Sequence, residues 1–308
     1  MDLPIKIQIP EKFYRAEIRY DYQVSEEIKK VWAVQLDLLH EFMRICEKHS
    51  LRWFLGFGSL LGVVRHKGYI PWDNDIDVVM PREDYDKLLK IGEDEFKHPY
   101  FFQNPQTENG RFFFMFSRLS NSMTTGASPE HWSSRMNCGM YMDIYPLDYL
   151  PNGRLRRIIY LSKLKNISYM ARFAGTFYRL EKTRVSEKLK MLIHYIHYRV
   201  IGSPNSEKVF AMYNNRARSY YKKSHEVGCV ILGYKPTWTW NVEDWNDYEI
   251  QDFEMFKVRI PKGYHNILTK TYGDYMKVPD DKNTHEYILF EAELPYAIYF
   301  SKYGYAYK

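Results

Sequence analysis

The sequence predicts an α/β protein in which a mixed β-sheet is flanked by helices and a basic helical segment is inserted. The 308-residue chain is 45% hydrophobic and 27% charged, which is typical of a folded globular protein. Strand-like and helical patterns both occur before residue 150, and a basic stretch of helical periodicity follows. We expect residues 1–150 to form a core domain and residues 151–235 a helical subdomain. Residues 236–308, which include a strand-like run over residues 253–258, are expected to complete the core domain.

The first long element is predicted to be a helix that begins after Ser25. Serine is a favoured N-cap, and Glu26 and Glu27 follow in the first turn, where the helix dipole favours acids. One apolar stripe then runs to about His49. Its members are Ile28, Trp32, Leu36, Leu39, Met43 and Cys46. The short apolar run over residues 53–55 fits a buried strand.

Residues 55–80 read as a strand, a tight turn, a short helix, a loop and a second strand. Gly56 and Gly58 allow the backbone to turn closely, and Ser59 is a suitable N-cap for the short helix. A helix that begins there directs free N–H groups at the turn, which is a site for phosphate. Taken alone, the Gly-x-Gly-Ser pattern also fits an ordinary strand–helix turn.

Two acids follow on the second strand. Because strand side chains alternate, Asp75 and Asp77 share one face while Ile76 and Val78 enter the core. Adjacent carboxylates on one face repel each other, and a bound divalent cation is the usual reason to keep them together. Mg²⁺ or Mn²⁺ would suit these oxygen ligands. The alternative is a strand end with solvated acids.

A calcium-binding loop is a second alternative for this stretch, since Asp73, Asp75 and Asp77 are spaced as in such loops. The sixth position is Val78, where a glycine is required, and the twelfth is Asp84, where a bidentate glutamate is required. The calcium loop is therefore excluded.

A third acid is predicted to join the pair. Residues 141–146 read as a short strand with Asp143 between apolar neighbours, and a carboxylate buried there needs a cation or hydrogen-bond donors. Beside Asp75 and Asp77, it could complete a two-metal site. Asp148 competes for this role, but Pro146 suggests that the strand has already ended, so Asp143 is preferred.

The cysteine content and the hydrophobicity pattern indicate the cellular compartment of the protein. Cys46, Cys138 and Cys229 are scattered and odd in number, which excludes a disulfide scaffold and a cysteine zinc site and suits a reducing compartment. The chain starts without a signal-like pattern, and no apolar run reaches the length needed to cross a bilayer. We expect a cytoplasmic protein whose membrane contact, if any, is peripheral and at the inner face.

Charge is concentrated in one segment. Residues 151–225 contain 17 Lys and Arg against three acids, a balance of 17 − 3 = +14, whereas the whole chain carries +6. Helices are predicted over 154–178, 185–201 and 207–223. The segment is either a solvated basic layer or a surface for an anionic partner such as lipid headgroups. No recognised nucleic-acid motif accompanies it, so nucleic acid is not expected as a partner.

The motifs together resemble the signature of the LicD/fukutin family. The resemblance is strong over residues 58–62, 65–68 and 70–77, extends to residues 143–148, and resumes weakly at residues 272–275. It implies a nucleotidyltransferase fold of the DNA polymerase β type. Family members transfer phosphocholine, or an alditol phosphate, from a CDP-activated donor to a glycan hydroxyl, and the acceptor expected here is a glycan or its lipid-linked precursor.

By position, the resemblance implies that Gly58 and Ser59 contact the donor phosphates. Asp75 and Asp77 would bind Mg²⁺, and Asp143 would be the third carboxylate. Many relatives have three consecutive acids where this chain has Asp-Asn-Asp at residues 73–75. Alternation turns the asparagine away from the metal pair, and the role of the first aspartate stays open.

Two cations near the end of the short helix complete the expected site. Arg65 and Lys67 are predicted to balance the charge of the departing CMP. The alternative for either one is simple stabilisation of a helix C-terminus. A nucleotidyltransferase that moves NMP from an NTP to an acceptor would use the same acids, and a silent glycan-binding protein is a further alternative that the intact acids disfavour.

Overall fold

The predicted mixed sheet flanked by helices is confirmed. The computed structural model describes residues 3–127, 136–175, 206–232, 236–282 and 289–303. Its helices are α1 (Glu26–Lys48), α2 (Phe57–His66), α3 (Arg82–Glu95), α4 (Arg154–Gly175), α5 (Ser206–Ala217), α6 (Tyr264–Tyr272) and α7 (Tyr296–Tyr303). Its strands are β1 (Glu17–Arg19), β2 (Tyr22–Val24), β3 (Phe54–Leu55), β4 (Asp77–Pro81), β5 (Tyr100–Gln103), β6 (Ser117–Asn121), β7 (Thr125–Ala127), β8 (Met140–Tyr149), β9 (Glu226–Gly228), β10 (Thr239–Asn241), β11 (Tyr248–Phe253), β12 (Phe256–Pro261) and β13 (Leu289–Glu291).

The large sheet is organised around β8. Strand β4 lies beside β8 in parallel, and β3 pairs antiparallel with the other edge of β4. On the opposite side, β8 pairs antiparallel first with β6 and then with β9, which continue to β5 and β10. Two further hairpins, β1–β2 and β11–β12, and the antiparallel pair β7–β13 lie outside this sheet.

Strand β8 is longer than the sequence predicts. The expectation that the strand ends at Pro146, before Asp148, is wrong. Residues 140–144 pair with β6 and residues 148–149 pair with β9. Pro146 falls between these two partners, so the backbone N–H that it lacks is not needed for pairing on that side.

Helix α1 forms as predicted. The Ser25 Oγ accepts a hydrogen bond from the Ile28 backbone N–H at 3.3 Å, which caps the helix. Its apolar stripe packs on the sheet, and the side chains of Trp32, Leu36 and Leu39 are completely buried. Burial of these side chains, at about 1.5–3 kcal/mol each, is the main reason that the helix holds its place.

Two separate apolar clusters stabilise the fold. The main one lies between the sheet and α1, α2 and α6. The second lies beneath α4 and α5 and includes Tyr160, Leu164, Phe210 and Tyr213. The clusters do not by themselves set a domain boundary, so the division at residues 150 and 235 stays a prediction.

Two predicted elements differ from the structure, and a third lies outside the described residues. The run over residues 253–258 is not one strand but the end of β11, a turn and the start of β12, and Glu254 takes a positive φ of 51° in that turn. The helix predicted over 207–223 ends at Ala217 and continues only as a 3-10 turn. The helix predicted over 185–201, like the last residues of the one predicted over 154–178, lies outside the described residues. Among the helices that are described, none is both long and apolar enough to cross a bilayer.

Candidate active site

The short helix α2 begins at the tight turn that the sequence predicts, but with a different cap. Gly56 is the N-cap, so the prediction that Ser59 caps the helix is wrong. A Cβ on Gly56 would lie 2.4 Å from Val79 Cγ2, which explains the glycine. The next residue, Phe57, has a φ of +48°, an uncommon value for a side chain of that size. The backbone therefore turns sharply at the end of β3.

Ser59 instead connects α2 to β4, the strand that begins with Asp77. It is the third residue of α2, and its Oγ accepts a hydrogen bond from the Asp77 backbone N–H at 2.9 Å. A hydroxyl that accepts one hydrogen bond can still donate its own proton. Ser59 can thus position the start of β4 and also bind an oxygen of a ligand above the turn.

Gly58 lies against an aspartate whose role the sequence left open. A Cβ on Gly58 would be 2.7 Å from Asp73 Oδ2. The Asp73 carboxyl group also interacts with Asp75, and its Oδ1 accepts a hydrogen bond from the Asn74 backbone N–H at 3.0 Å. Burial raises the pKa of Asp73. The structure therefore adds Asp73 to the site.

The two predicted metal ligands alternate with core residues as expected. Ile76 and Val78 are completely buried, while Asp75 and Asp77 remain partly exposed. Only Asp77 belongs to β4, and Asp75 lies in the extended segment that precedes the strand. Asn74 is buried, and its backbone carbonyl accepts a hydrogen bond from Gln35 Nε2 on α1 at 2.7 Å.

Asp143 lies directly opposite Asp77 on the neighbouring parallel strand. The Asp143 backbone N–H donates to the Ile76 carbonyl at 3.0 Å, which fixes this register. Burial, together with the negative charges of Asp75, Asp143 and Asp73, raises the pKa of Asp77 well above its usual range. These four carboxylates, hereafter the acidic cluster, are close enough to repel each other.

Arg118 and Tyr145 hold the Asp143 carboxylate. The Arg118 Nε donates to Asp143 Oδ1 at 2.6 Å, and the Tyr145 hydroxyl donates to Asp143 Oδ2 at 2.9 Å. The Arg118 side chain is only 6% exposed, and its guanidinium carbon lies 3.9 Å from the centre of the Tyr141 ring. Sequence reasoning missed Arg118, because only the sheet register brings β6 beside Asp143.

Arg65 and Lys67 lie at the end of α2, as predicted. The Arg65 Nη1 donates to the carbonyls of Tyr275 and Lys277 at 2.9 and 3.1 Å. The Lys67 Nζ donates to Gln251 Oε1 at 3.4 Å. These contacts join the helix end to two other segments, and a role for either cation in binding the donor stays a prediction.

Tyr272 lies near the acidic cluster. The residue as a whole is 43% exposed, but the surrounding protein partly shields its hydroxyl group from water. This shielding and the charges of Asp77, Asp73 and Asp75 raise the pKa of Tyr272, so the hydroxyl stays protonated and can donate a hydrogen bond. Tyr272 belongs to residues 272–275, where the family resemblance is weak, and sequence analysis predicted no role for it.

Aromatic rings surround the beginning of α2. The centre of the Phe57 ring lies 5.6 Å from that of Tyr145 and 5.5 Å from that of Trp238. Tyr145 also donates to Asp143, so this group of rings is continuous with the acidic cluster. Such faces are suited to stack on a base or to contact a quaternary ammonium group.

The acidic cluster contains the type of ligand that a divalent cation needs. Carboxylates are the ligands that Mg²⁺ prefers, and their mutual repulsion is what a bound cation would relieve. Within the described residues, no three His, Cys, Asp or Glu side chains are already positioned to hold one metal ion. The contacts of Asp143 supply one physical reason, since Arg118 and Tyr145 engage both of its oxygens. A metal role for Asp75 and Asp77 stays a prediction.

The fold and the site define a protein of the nucleotidyltransferase-fold class, with a strand–turn–helix motif beside carboxylates on two adjacent parallel strands. Residues 50–155 match the family model described as LicD/FKTN/FKRP, nucleotidyltransferase domain. The chain belongs to the LicD family, a family of transferases. The predicted family is thus confirmed.

Three relatives show how far the similarity extends. The lipopolysaccharide cholinephosphotransferase LicD of Haemophilus influenzae is 27% identical over 262 residues, which are 84% of this chain and 95% of that protein. An uncharacterized protein of Rickettsia prowazekii is 30% identical over 89 residues, 26% of this chain and 34% of its own length. Mannosyltransferase regulator 4 of Saccharomyces cerevisiae is 26% identical over 136 residues, which are 43% of this chain and 11% of the yeast protein.

Proposed function

We propose that the protein transfers a phosphate-linked group from a CDP-activated donor to a glycan hydroxyl and releases CMP. The observation that carries the proposal is the placement of Asp77 opposite Asp143, beside the start of α2. The Haemophilus relative, a lipopolysaccharide cholinephosphotransferase, supports phosphocholine as the transferred group and a lipopolysaccharide-type glycan as the acceptor. An alditol phosphate is the other group that the family resemblance implies.

The donor diphosphate would bind at the first turn of α2. The first backbone N–H groups of a helix have no carbonyl partner inside the helix, and the helix dipole is positive there. The Ser59 hydroxyl can add a donor at the same place, because its oxygen accepts from the Asp77 backbone N–H and its own proton is not used in that bond. Gly58 has no side chain, so its backbone can lie against Asp73 and leave the turn open to the phosphates.

Mg²⁺, or Mn²⁺ in its place, is the proposed cofactor. Asp75 and Asp77 would hold the ion, with Asp143 as the third carboxylate, and the bound ion would neutralise phosphate charge as the bond to CMP breaks. The proximity of these acids to one another supports this assignment. Burial and the repulsion between like charges disfavour the ionised form of Asp77 when no cation is bound.

Asp143 would act on the acceptor. Its carboxylate, held by Arg118 and Tyr145, takes the proton of the sugar hydroxyl as the sugar oxygen attacks the phosphorus atom. The bond between that phosphorus and the oxygen bridging to CMP breaks in line, and CMP leaves with the bonding electrons. Arg65 and Lys67 are the predicted counter-charges for CMP.

A donor screen tests the proposal. CDP-choline, CDP-ribitol, CDP-glycerol and CDP-ethanolamine are each incubated with Mg²⁺ and lipopolysaccharide, and released CMP is measured. We expect one donor to be used, with loss of at least about 10³-fold in Asp77→Asn, because a proposed metal ligand is removed. Asp247→Asn, at an exposed aspartate remote in sequence from the acidic cluster, is the matched control.

Two results would reject the proposal. One is CMP release at the wild-type rate in Asp77→Asn. The other is pyrophosphate release from CTP with a phosphorylated acceptor, combined with no use of any CDP donor. That second result would identify a nucleotidyltransferase that moves the nucleotide itself.

A further inference from the structure

The outer face of α4 carries large apolar side chains that the fold does not bury. Leu155 is 71% exposed, Ile158 46% and Ile159 47%. A helix advances about 100° per residue, so these three positions lie side by side on one stripe. Tyr169, 36% exposed, lies on the same side of the helix two to three turns further on, beyond the exposed polar residues Ser162 and Asn166. A solvent-facing helix surface is normally polar, so this stripe indicates a contact with something apolar.

Positive charges border this stripe on both sides. By the same helical spacing, Arg156 and Lys163 lie along one edge of it and Arg154 and Lys165 along the other, and all four side chains are exposed. The sequence of α4 contains no aspartate or glutamate at all. We call the three apolar residues and these four cations the α4 face.

The opposite side of α4 is fixed to the protein, which holds the α4 face outward. Tyr160, Leu161 and Leu164 are buried in the second apolar cluster. The Tyr160 hydroxyl donates to the Ala217 carbonyl at 3.0 Å, and Arg157 forms an ion pair with Glu226. The helix therefore cannot rotate its exposed apolar stripe into the core.

We propose that the α4 face binds the surface of an anionic membrane. An interfacial helix places an apolar stripe at the boundary between headgroups and acyl chains while flanking Lys and Arg side chains extend to the lipid phosphates. The α4 face has both parts of this arrangement. A second copy of the same face is disfavoured because four cations would meet four cations. A nucleic acid would use the charges but not the isoleucines and the leucine.

The inference does not depend on which group the enzyme transfers, and it is tested by vesicle flotation with the full-length chain. Vesicles of phosphatidylcholine alone are compared with vesicles that also contain phosphatidylglycerol, at low and high salt. We expect binding to the anionic vesicles only, weakened by salt. The apolar variant combines Leu155→Ser, Ile158→Ser and Ile159→Ser, and the charge variant combines Arg156→Gln and Lys163→Gln.

Each variant should bind anionic vesicles at least about tenfold more weakly than the wild type, because each removes one of the two contributions. The matched control combines Ile18→Ser and Ile250→Ser, two exposed apolar residues on the hairpins, and should bind like the wild type. Circular dichroism and thermal melting establish that all three fold, as substitutions at exposed positions should allow.

Three outcomes would overturn the proposal. The first is no flotation of the wild type with anionic vesicles at low salt. The second is undiminished flotation of the apolar variant, which would mean that the stripe does not enter the lipid. The third is tighter binding to duplex DNA than to anionic vesicles, with the apolar variant unaffected, which would make the α4 face a nucleic-acid surface.

Discussion

Arg118 on β6 and Asp143 on β8 form an ion pair of 2.6 Å that lies in the same row of the sheet as Asp77 on β4. The pair thus joins the nearly buried guanidinium group of Arg118 to the Asp143 carboxylate, which lies opposite Asp77 on β4. Because the Tyr145 hydroxyl holds the second Asp143 oxygen, the orientation of that carboxylate depends on both partners. This dependence leads to the first prediction.

Arg118→Lys should lower turnover about 10- to 100-fold. Lysine keeps the charge but lacks the planar guanidinium that fixes the Asp143 carboxylate. We also expect the free energy of unfolding to fall by about 1–3 kcal/mol, because a buried ion pair loses its geometry. Steady-state kinetics with the donor found in the screen, and urea denaturation, measure the two effects.

Arg82→Lys is the matched control for this variant. Arg82 is also buried, and it holds both oxygens of Asp148 at 2.6 Å, but Asp148 lies outside the acidic cluster. The control should lose similar stability while turnover stays within about twofold. Equal loss of turnover in the two variants would mean that Arg118 has only a structural role.

Mg²⁺ should stabilise the wild-type protein. An ion that binds only the folded state at about ten times its Kd adds about 1.4 kcal/mol, which corresponds to an increase in Tm of about 2–4 °C. Asp77→Asn should abolish this increase. Without Mg²⁺ the same variant should melt at or above the wild-type temperature near pH 7, since it removes a charge that burial and neighbouring acids disfavour.

The Tm of each protein, measured with and without Mg²⁺, tests this prediction. Asp247→Asn is the control, and its Tm should rise with Mg²⁺ as in the wild type. An equal increase in Tm for the wild type and Asp77→Asn would place the bound ion somewhere other than at Asp77.

Gly58→Ala should impair activity without unfolding the protein. The new methyl group would meet Asp73 Oδ2 at 2.7 Å and displace that carboxylate, while alanine favours the helix by about 1 kcal/mol over glycine. We expect turnover about tenfold lower and a free energy of unfolding within about 1 kcal/mol of the wild type. A double-mutant cycle with Asp73→Ala identifies the cause. If Gly58→Ala lowers turnover equally with and without Asp73, the displacement of Asp73 is not the reason.

His66 should make stability depend on pH. Burial and the charges of Arg65 and Arg19 lower the pKa of His66 to about 4, and its Nε2 accepts a hydrogen bond from Arg65 Nε at 2.8 Å. The His66 side chain is therefore protonated near pH 6.5 in the unfolded chain but only near pH 4 in the folded protein. The contribution of His66 is present above about pH 6.5 and is lost as the pH falls toward 4.

Comparison with His66→Phe measures this contribution. The difference in the free energy of unfolding between the two proteins should shift by about 1–2 kcal/mol in favour of the phenylalanine variant between pH 7 and pH 4.5, after allowance for partial exposure. A difference that stays constant over this range would contradict the low pKa.

Much of the site could be predicted because its signals are local. The alternation of Asp75 and Asp77 with Ile76 and Val78 follows from the geometry of a single extended segment. The capping of α1 by Ser25 depends only on residues three positions apart. Predictions of this kind need no knowledge of which strands are neighbours.

Other parts depend on the sheet as a whole and were beyond local reasoning. Pro146 reads as the end of a strand, yet β8 continues because the change of neighbour from β6 to β9 happens there. Arg118 has no motif around it and gains its role only from the register with Asp143. Ser59 was a reasonable cap by residue type, but the Gly56 carbonyl already accepts a hydrogen bond from the Leu60 backbone N–H at 2.9 Å, so the helix starts at Gly56.

The buried Arg82 also joins the two apolar clusters, because its Nη1 donates to Asn214 Oδ1 on α5 at 2.8 Å while its other nitrogens hold Asp148 on β8. This buried polar contact therefore fixes one point at which α5 aligns with the sheet. The sequence of α4 and α5, and with it the surface that these helices present, could therefore change widely in evolution. The contacts of Arg82 with Asp148 and Asn214 would have to be kept.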